Sequence, residues 1–177
     1  MAKTKWVLDP AHSEIQFKVK HLMITTVTGY FKKFNLEVET DDDDFTRASK
    51  IEFTADVNSV DTNNEQRDNH LRSADFFNAS EHGEIRFAGI KYEGSKEEGK
   101  LQGALTLRGT TGNVIANVEF GGITVDPYGQ TKAGFTISGK LNRKDFGLGW
   151  GAITEAGSVV VSDEVKFQGE FQLIKQA

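Results

Sequence analysis

The feature that most constrains this chain is a two-residue alternation of apolar and polar side chains that recurs along much of its length. In "SEIQFKVKH", Ile15, Phe17 and Val19 share one face of an extended chain, and polar side chains share the other. This period is typical of a strand with one buried face. The pattern returns around 34–39, 51–57, 85–92, 101–107, 114–120, 135–141 and 165–173. The sequence therefore predicts about eight strands, each with a single apolar face.

Polar segments between these strands predict tight turns. "EGSKEEGK" at 93–100 and "DPYGQ" at 126–130 have the composition of hairpin turns, and the acidic run 41–44 is expected to be a solvated turn. The alternation changes phase near Gly89, which predicts a β-bulge. Eight antiparallel strands with one apolar face each can close into a barrel wide enough for side chains or one small ligand. We therefore predict an all-β, eight-stranded antiparallel barrel, with a two-sheet sandwich as the competing architecture.

Three glycines bear on whether such a barrel is hollow. Gly103, Gly139 and Gly169 fall on the inward phase, where a filled core would use larger side chains. They either leave room for a cavity or mark sharp bends in the barrel strands. Both interpretations stay open from the sequence.

Length, charge and composition narrow the function classes. The 177 residues are most simply one domain, 1–177. The net charge is −5 and no basic run stands out, so no nucleic-acid partner is expected. The absence of cysteine excludes disulfides and thiolate-based zinc sites. No apolar run approaches the ~20 residues of a membrane span, and no signal peptide is seen, so the chain as given is expected to be cytoplasmic and without a transmembrane segment.

Four connections are predicted to gather at one end of the barrel. If each strand runs antiparallel to the one before it, the connections 22–29, 58–82, 109–112 and 142–164 all leave the barrel at the same end. Two of them, the insertion 58–82 and the loop 142–164, are the longest in the chain, and binding residues concentrate on loops held by a rigid scaffold. We therefore expect the mouth of the barrel at this end.

A short helix is predicted within the insertion 58–82. Thr62 and Glu65 have the spacing of a capping box, so the helix is expected to begin at Thr62 and to run toward Arg72. Its sequence offers almost no apolar stripe. Phe76 and Phe77, at the end of the segment "RDNHLRSADFF", are therefore expected to pin the end of the helix onto the barrel.

The charged side chains of this segment are interpreted as a structural rim. Asp68 and Asp75 are expected to accept hydrogen bonds from the backbone and to form ion pairs with Arg72 or Arg67. His70 belongs to the same rim, and the alternative roles are contact with a ligand head group and acid–base catalysis. Catalysis is disfavoured because Arg67, Asp68 and His70 point in different directions on a helix.

Four segments together resemble the YceI-like family. They are "WVLDPAHSEIQFKVKH", "NSVDTNNEQRDNHLRSADFF", "GALTLRGTT" and "NRKDFG…SDEV", which occur in this order over nearly the whole chain. The resemblance implies a lipocalin-like barrel whose elongated apolar cavity takes an isoprenoid lipid, such as a polyprenyl diphosphate or an isoprenoid quinone. It implies binding, carriage or storage of that lipid without chemistry, with no cofactor. Many members of the family are exported, and this sequence departs from them in showing no signal peptide.

Candidate site residues come from combining the resemblance with the strand phases. The residues expected to line the cavity are Phe17, Val19, Phe53, Phe87, Leu105, Phe135, Ile137, Phe167 and Phe171. His21, Arg67 and Arg108 are expected near the head group, because guanidinium groups can neutralise a diphosphate and a histidine can donate a hydrogen bond.

Alternatives remain at this point. The chain could be an enzyme that acts on an isoprenoid or another lipid through mouth Arg, Asp and His residues, or a scavenger of hydrophobic ligands. The histidines at 12, 21, 70 and 82 lack the spacing of a zinc motif, so no metal is expected. A homodimer formed by sheet edges or by exposed aromatics such as Trp150 is a further possibility.

Overall fold

The computed structural model describes residues 2–148 and 161–176. The described residues form eleven strand segments, one α-helix and three 3₁₀ turns. The strands are β1 (Lys3–Leu8), β2 (Glu14–His21), β3 (Thr25–Phe31), β4 (Phe34–Asp41), β5 (Asp44–Asp56), β6 (Val60–Asp61), β7 (Glu84–Gly94), β8 (Glu98–Leu107), β9 (Thr110–Val125), β10 (Thr131–Asn142) and β11 (Glu164–Lys175). The helix α1 spans Glu65–Arg72, and the 3₁₀ turns span Pro10–His12, Val57–Ser59 and Arg143–Phe146.

Eight strands close an antiparallel barrel, which confirms the predicted fold. The order around the ring is β1, β4, β5, β7, β8, β9, β10 and β11, and β1 closes the ring by pairing with β11. β1 and β2 behave as one interrupted strand, because β1 pairs with the end of β11 and β2 with its beginning. β3 and β4 likewise behave as one interrupted strand, because β3 pairs with β2 and β4 pairs with β1.

The predicted mouth loop over 22–29 is wrong, because most of it belongs to β3. Residues Thr25 to Tyr30 pair with β2, and only 22–24 form the turn. Its alternation is hard to recognise because threonines hold the polar positions and Gly29 holds an inward one. The connection predicted over 109–112 is also shorter, since β9 begins at Thr110. The bulge near Gly89 is confirmed by a register shift between Gly89 and Lys91.

Two clusters of buried residues fill the barrel interior. One lies at the predicted mouth, where Phe31, Val57 and Phe146 pack under the insertion that contains α1. The other lies at the opposite end around Trp6 and Leu173, both fully buried. We call this opposite end the closed end. Within residues 2–148 and 161–176, no helix is long and apolar enough to cross a bilayer.

Candidate functional site

An apolar cavity of about 380 Å³ occupies the barrel between the centre and the mouth. Its volume falls in the range typical of small-molecule sites, roughly 300–1,000 Å³. Eight of the nine residues predicted to line a cavity border it: Phe17, Val19, Phe53, Phe87, Leu105, Ile137, Phe167 and Phe171. The strand alternation therefore brings these side chains together, because successive residues of a strand face opposite sides of the sheet.

Phe135, the ninth predicted lining residue, is not placed at this cavity. Its ring packs 4.7 Å from that of Phe45 and 5.1 Å from that of Phe120, measured between centroids. Trp6 packs on Phe45 at 4.8 Å. These four rings form an aromatic plug at the closed end, beside a second cavity of only about 70 Å³. Sequence phase puts Phe135 inside the barrel but does not say at which depth along its axis.

Inward-facing glycines shape the cavity wall by allowing phenylalanine rings to lie flat against it. Gly139 is directly opposite Phe167 in the β10–β11 ladder, and a Cβ at Gly139 would overlap the ring. Gly29 and Phe17 form an equivalent pair across β2 and β3. Gly103 and Gly169 are covered by other phenylalanine rings in the same way. The glycines therefore leave space in the lumen indirectly, by drawing aromatic rings out of it.

The titratable residues that border the mouth end of the cavity are all basic among the described residues. Among the described residues that line it, the titratable ones are Lys20, His21, Arg67, His70 and Arg143. Because His21 and Arg67 also have exposed surface, the cavity reaches solvent on their side. The arrangement can neutralise an anionic or strongly polar group at the mouth while an apolar body occupies the lumen.

Arg67 is held at this mouth by a network with Thr62 and Asp68. Its Nε donates to Thr62 Oγ1 at 2.7 Å, and its Nη2 donates to the Thr62 carbonyl at 2.5 Å. The carboxylate of Asp68, which is 7% exposed, accepts from the Thr62 amide at 2.8 Å and from the Thr62 hydroxyl at 2.5 Å. Asp68 thus fixes the residue that orients the guanidinium.

The predicted ion pairs of the rim are wrong. Among the described residues, no ion pair within 4.0 Å joins Asp68 or Asp75 to Arg67 or Arg72. Arg72 instead donates to backbone carbonyls and to Asn69. Asp75 contacts Nε2 of His70 at 2.9 Å. The i, i+4 spacing of the charged residues does not predict these partners, because α1 lies against residues 57–61. Backbone carbonyls of that segment accept the hydrogen bonds of Arg72.

The predicted helix ends correctly but begins later than expected. Asn64 is the N-cap and accepts from the amide of Arg67 at 2.9 Å, whereas Thr62 lies outside the helix. Shortly beyond its end, Phe76 and Phe77 are buried in the mouth cluster, as the predicted anchor requires. The helix is therefore held across the barrel end by its caps and these two rings.

Arg143 is a mouth residue that the predicted head-group set lacks. It is 3% exposed and donates to the carbonyls of Leu148 at 2.5 Å and Ser162 at 2.9 Å. Burial lowers the pKa of its guanidinium, and the charge of Asp163 opposes that shift. The "NRKDFG" segment marks its position, but nothing in that segment shows that the arginine turns inward.

Arg108, which the prediction places at the head group, does not line the cavity. It lies in the turn between β8 and β9 with φ +50° and donates to the carbonyl of Gly147 at 3.0 Å. A turn position directs its side chain over the barrel rim rather than into the lumen. Residues 149–160, and with them Trp150, lie outside the described part of the chain.

A separate ion-pair network lies away from the cavity, on the closed half of the barrel. Lys132 Nζ is 2.6 Å from Asp9 Oδ2 and 3.3 Å from Asp126 Oδ2, and His12 Nδ1 is 2.9 Å from Asp9 Oδ2. The hydrogen bond between Lys132 and Asp9 lowers the pKa of the Asp9 carboxyl group and raises the pKa of the Lys132 amino group. The backbone amide of Gln130 is the main cause of a lowered pKa at Asp126. In residues 2–148 and 161–176, no group of three or more His, Cys, Asp or Glu side chains could hold a metal.

The sequence matches known relatives over nearly its full length. A family model described as the YceI-like domain matches residues 6–173. A UPF0312 protein of Staphylococcus epidermidis is 40% identical over 168 residues, which covers 93% of this chain and 94% of that protein.

Solved structures share the fold. A Campylobacter jejuni YCEI protein superposes with a TM-score of 0.77 at 31% identity, over 89% of this chain and 90% of that one. A polyisoprenoid binding domain from Saccharophagus degradans gives a TM-score of 0.67 at 14% identity, over 97% of this chain and 98% of that one. At that identity the second likeness concerns the fold alone.

Proposed function

Since this chain belongs to the YceI-like family, we propose that its barrel binds an isoprenoid lipid and carries or stores it without chemistry. The observation that carries the proposal is the apolar cavity of about 380 Å³ with its basic mouth. Burial of a hydrocarbon tail in such a lumen is favourable by about 25 cal/mol per Å² before the costs of ordering the ligand. The choice of lipid class rests on the family, and a polyisoprenoid binding domain shares the fold of this barrel.

The mouth favours a polar or anionic head group on this lipid. Arg67 and Arg143 border the lumen on the same side as His21, and no carboxylate is among the described residues that line it. A diphosphate would be neutralised by the guanidinium groups, and a quinone carbonyl would accept hydrogen bonds from them. Both head groups fit this chemistry, and the ligand that co-purifies distinguishes them.

Binding accounts for the cavity better than catalysis does. General acid–base chemistry needs a base within hydrogen-bond reach of the reacting proton. The two carboxylates predicted at the rim are already bound, Asp68 by Thr62 and Asp75 by His70. The enzyme alternative would have to rely on His21 or His70, which border the cavity, and the scavenger alternative differs from the proposal only in selectivity.

Native mass spectrometry of protein purified without detergent tests the proposal. We expect one bound species in a near one-to-one ratio, identified as an isoprenoid after organic extraction. Val19→Trp fills the lumen and should abolish this adduct, whereas Ile115→Trp puts the same side chain on the outer wall and should retain it. An adduct of unrelated lipids in variable amounts would favour the scavenger, and no adduct in wild type together with no uptake of added polyprenyl lipid would overturn the proposal.

A further inference from the structure

The turn between β2 and β3 combines a demanding backbone with apolar side chains. The amide of Ile24 donates to the carbonyl of His21 at 3.1 Å, and the two residues between them, Leu22 and Met23, have φ of +51° and +59°. Positive φ at both central residues of a hairpin turn strongly favours Asn and Gly, because larger side chains are disfavoured there. Here the chain places leucine and methionine instead.

This turn exposes its apolar groups at the barrel mouth. Ile24 is 76% exposed and Met23 is 55% exposed. Both lie just after His21, whose side chain borders the cavity. An exposed apolar tip beside a cavity mouth is a candidate contact surface, since such groups gain free energy when they leave water. We call Leu22, Met23 and Ile24 the mouth tip.

The outer wall next to the mouth tip carries a row of lysines. Lys140 is opposite Lys166 in the β10–β11 ladder, and Lys166 is opposite Lys18 in the β11–β2 ladder. Their neighbours in each strand face the cavity, so the three lysines point outward. Like charges that face one another across a sheet are unfavourable. Among residues 2–148 and 161–176, none of these three lysines forms an ion pair within 4.0 Å. The acidic residue Glu164 lies two residues nearer the mouth than Lys166 on the same strand.

Charge on this wall reverses along the barrel axis. Two residues farther from the mouth, the same three strands carry Gln16, Gln168 and Ser138. Two residues farther again, Glu14 faces Glu170. Thr136, beside Glu170, pairs with Glu119 of β9, which in turn pairs with Glu98 of β8. The wall is thus basic near the mouth and acidic toward the closed end, although the chain as a whole carries a net charge of −5.

We propose that the mouth end docks on an anionic lipid bilayer, with the mouth tip inserted at the interface and Lys18, Lys140 and Lys166 facing the lipid phosphates. A wall polarised in this way orients the mouth toward a negative surface. The lysine row lies roughly 13 Å from the tip along β2, at 3.3 Å per residue. The row of lysines favours an anionic membrane over an apolar protein surface as the partner, because lysines gain no electrostatic attraction from an uncharged surface. The proposal concerns the outer surface and does not depend on what the cavity holds.

Vesicle flotation at low ionic strength tests the docking surface. We expect wild type to float with vesicles of phosphatidylcholine and phosphatidylglycerol and not with phosphatidylcholine alone, and salt should release it. Reversing Lys18, Lys140 and Lys166 to Glu should lower the partition coefficient by at least roughly two orders of magnitude, because the loss of each lysine costs roughly fivefold and the introduced glutamates add repulsion. The matched control reverses Lys5, Lys96 and Lys100, which changes the net charge equally and should lower binding far less.

A second pair of variants tests the mouth tip. Ile24→Asp should weaken flotation, whereas Ile90→Asp on the outer face of β7, where Ile90 is similarly exposed, should not. Circular dichroism and uptake of an apolar dye show that each variant remains folded with its cavity intact. Equal flotation with neutral vesicles, unchanged flotation of the reversed variant or equal loss in both lysine variants would overturn the proposal. So would a wild-type dimer that Ile24→Asp dissociates in sedimentation velocity, since the tip would then contact a second copy.

Discussion

Single residues determine whether the lumen is open. Phe167 would project into the cavity if the opposite strand carried a side chain at Gly139, because two side chains cannot occupy the same space above the sheet. Gly139 is therefore the packing partner of the Phe167 ring and does not itself leave a void in the wall. Gly134, in the same strand, has nothing within 4 Å of an added Cβ and provides a natural comparison.

Gly139→Ala should move the Phe167 ring toward the lumen and reduce ligand capacity. We expect weaker uptake of an apolar dye and a loss of about 1–3 kcal/mol in the free energy of unfolding, because the added methyl overpacks the wall. Gly134→Ala should leave dye uptake unchanged. Equal dye binding by the two variants would contradict the role assigned to Gly139.

Asp68 is the buried carboxylate on which the arginine at the mouth depends. Asp68→Asn should lower the free energy of unfolding by about 1–3 kcal/mol, because an amide cannot accept both bonds from Thr62 as well as a carboxylate does. Asp75→Asn is the matched control, since its carboxylate is half-exposed and should cost less. Urea denaturation measures both, and equal losses would argue against the network.

Among the elements, α1 depends on its ends rather than on its own sequence. Leu71 is its one apolar residue, and the helix lies across the mouth because Asn64 caps its start and because Phe76 and Phe77 are buried shortly after its end. A short polar helix without such contacts is marginal in water. Its position over the cavity is therefore a property of the insertion as a whole.

Asn64→Ala should destabilise the protein by about 1 kcal/mol, because the side-chain oxygen that satisfies the Arg67 amide is lost. Gln66→Ala, at an exposed position of the same helix, should change stability by less than about 0.5 kcal/mol. Thermal unfolding followed by circular dichroism measures the difference. A larger loss for Gln66→Ala would show that the cap is not what holds the helix start.

The molecule as a whole is a barrel with two unlike ends. The aromatic plug and the Asp9–Lys132 network close one end, and the short helix, the mouth tip and the basic side chains surround the other. The network joins positions 123 residues apart in the sequence, so it ties the N-terminal segment to the β9–β10 hairpin. The cavity opening and the Asp9–Lys132 network thus lie at opposite ends of one barrel.

The Asp9–Lys132 contact should make stability depend on pH in the acid range. Because the folded state lowers the pKa of Asp9, its contribution is fully present above the usual pKa of an aspartate and is lost as the pH falls through the lowered value. Asp9→Asn should therefore lower the melting temperature at pH 7, and the gap from wild type should narrow below about pH 4. A gap that is independent of pH would contradict the assignment.

Much of the barrel was predictable because its rule is local. The period of two in "SEIQFKVKH" and its repeats determines which side chains share a face, and a single apolar face on each of eight strands leads to closure. The bulge at Gly89 and the polar turns are consequences of the same pattern. By contrast, β3 was missed because its threonines and Gly29 obscure the alternation, and its identity as a strand comes from pairing with β2.

The order of residues along the chain was enough to establish the fold class, the inward set of residues and the end of the barrel at which the long connections gather. Depth and direction were settled in the folded barrel: Phe135 joins the plug at the closed end, Arg108 turns outward, and Arg143 turns inward. Alternation specifies the face of a strand but carries no information on position along the barrel axis or on which backbone groups lie within reach of a guanidinium. Those depend on strand stagger and on contacts between residues distant in sequence, which exist only once the ring has closed.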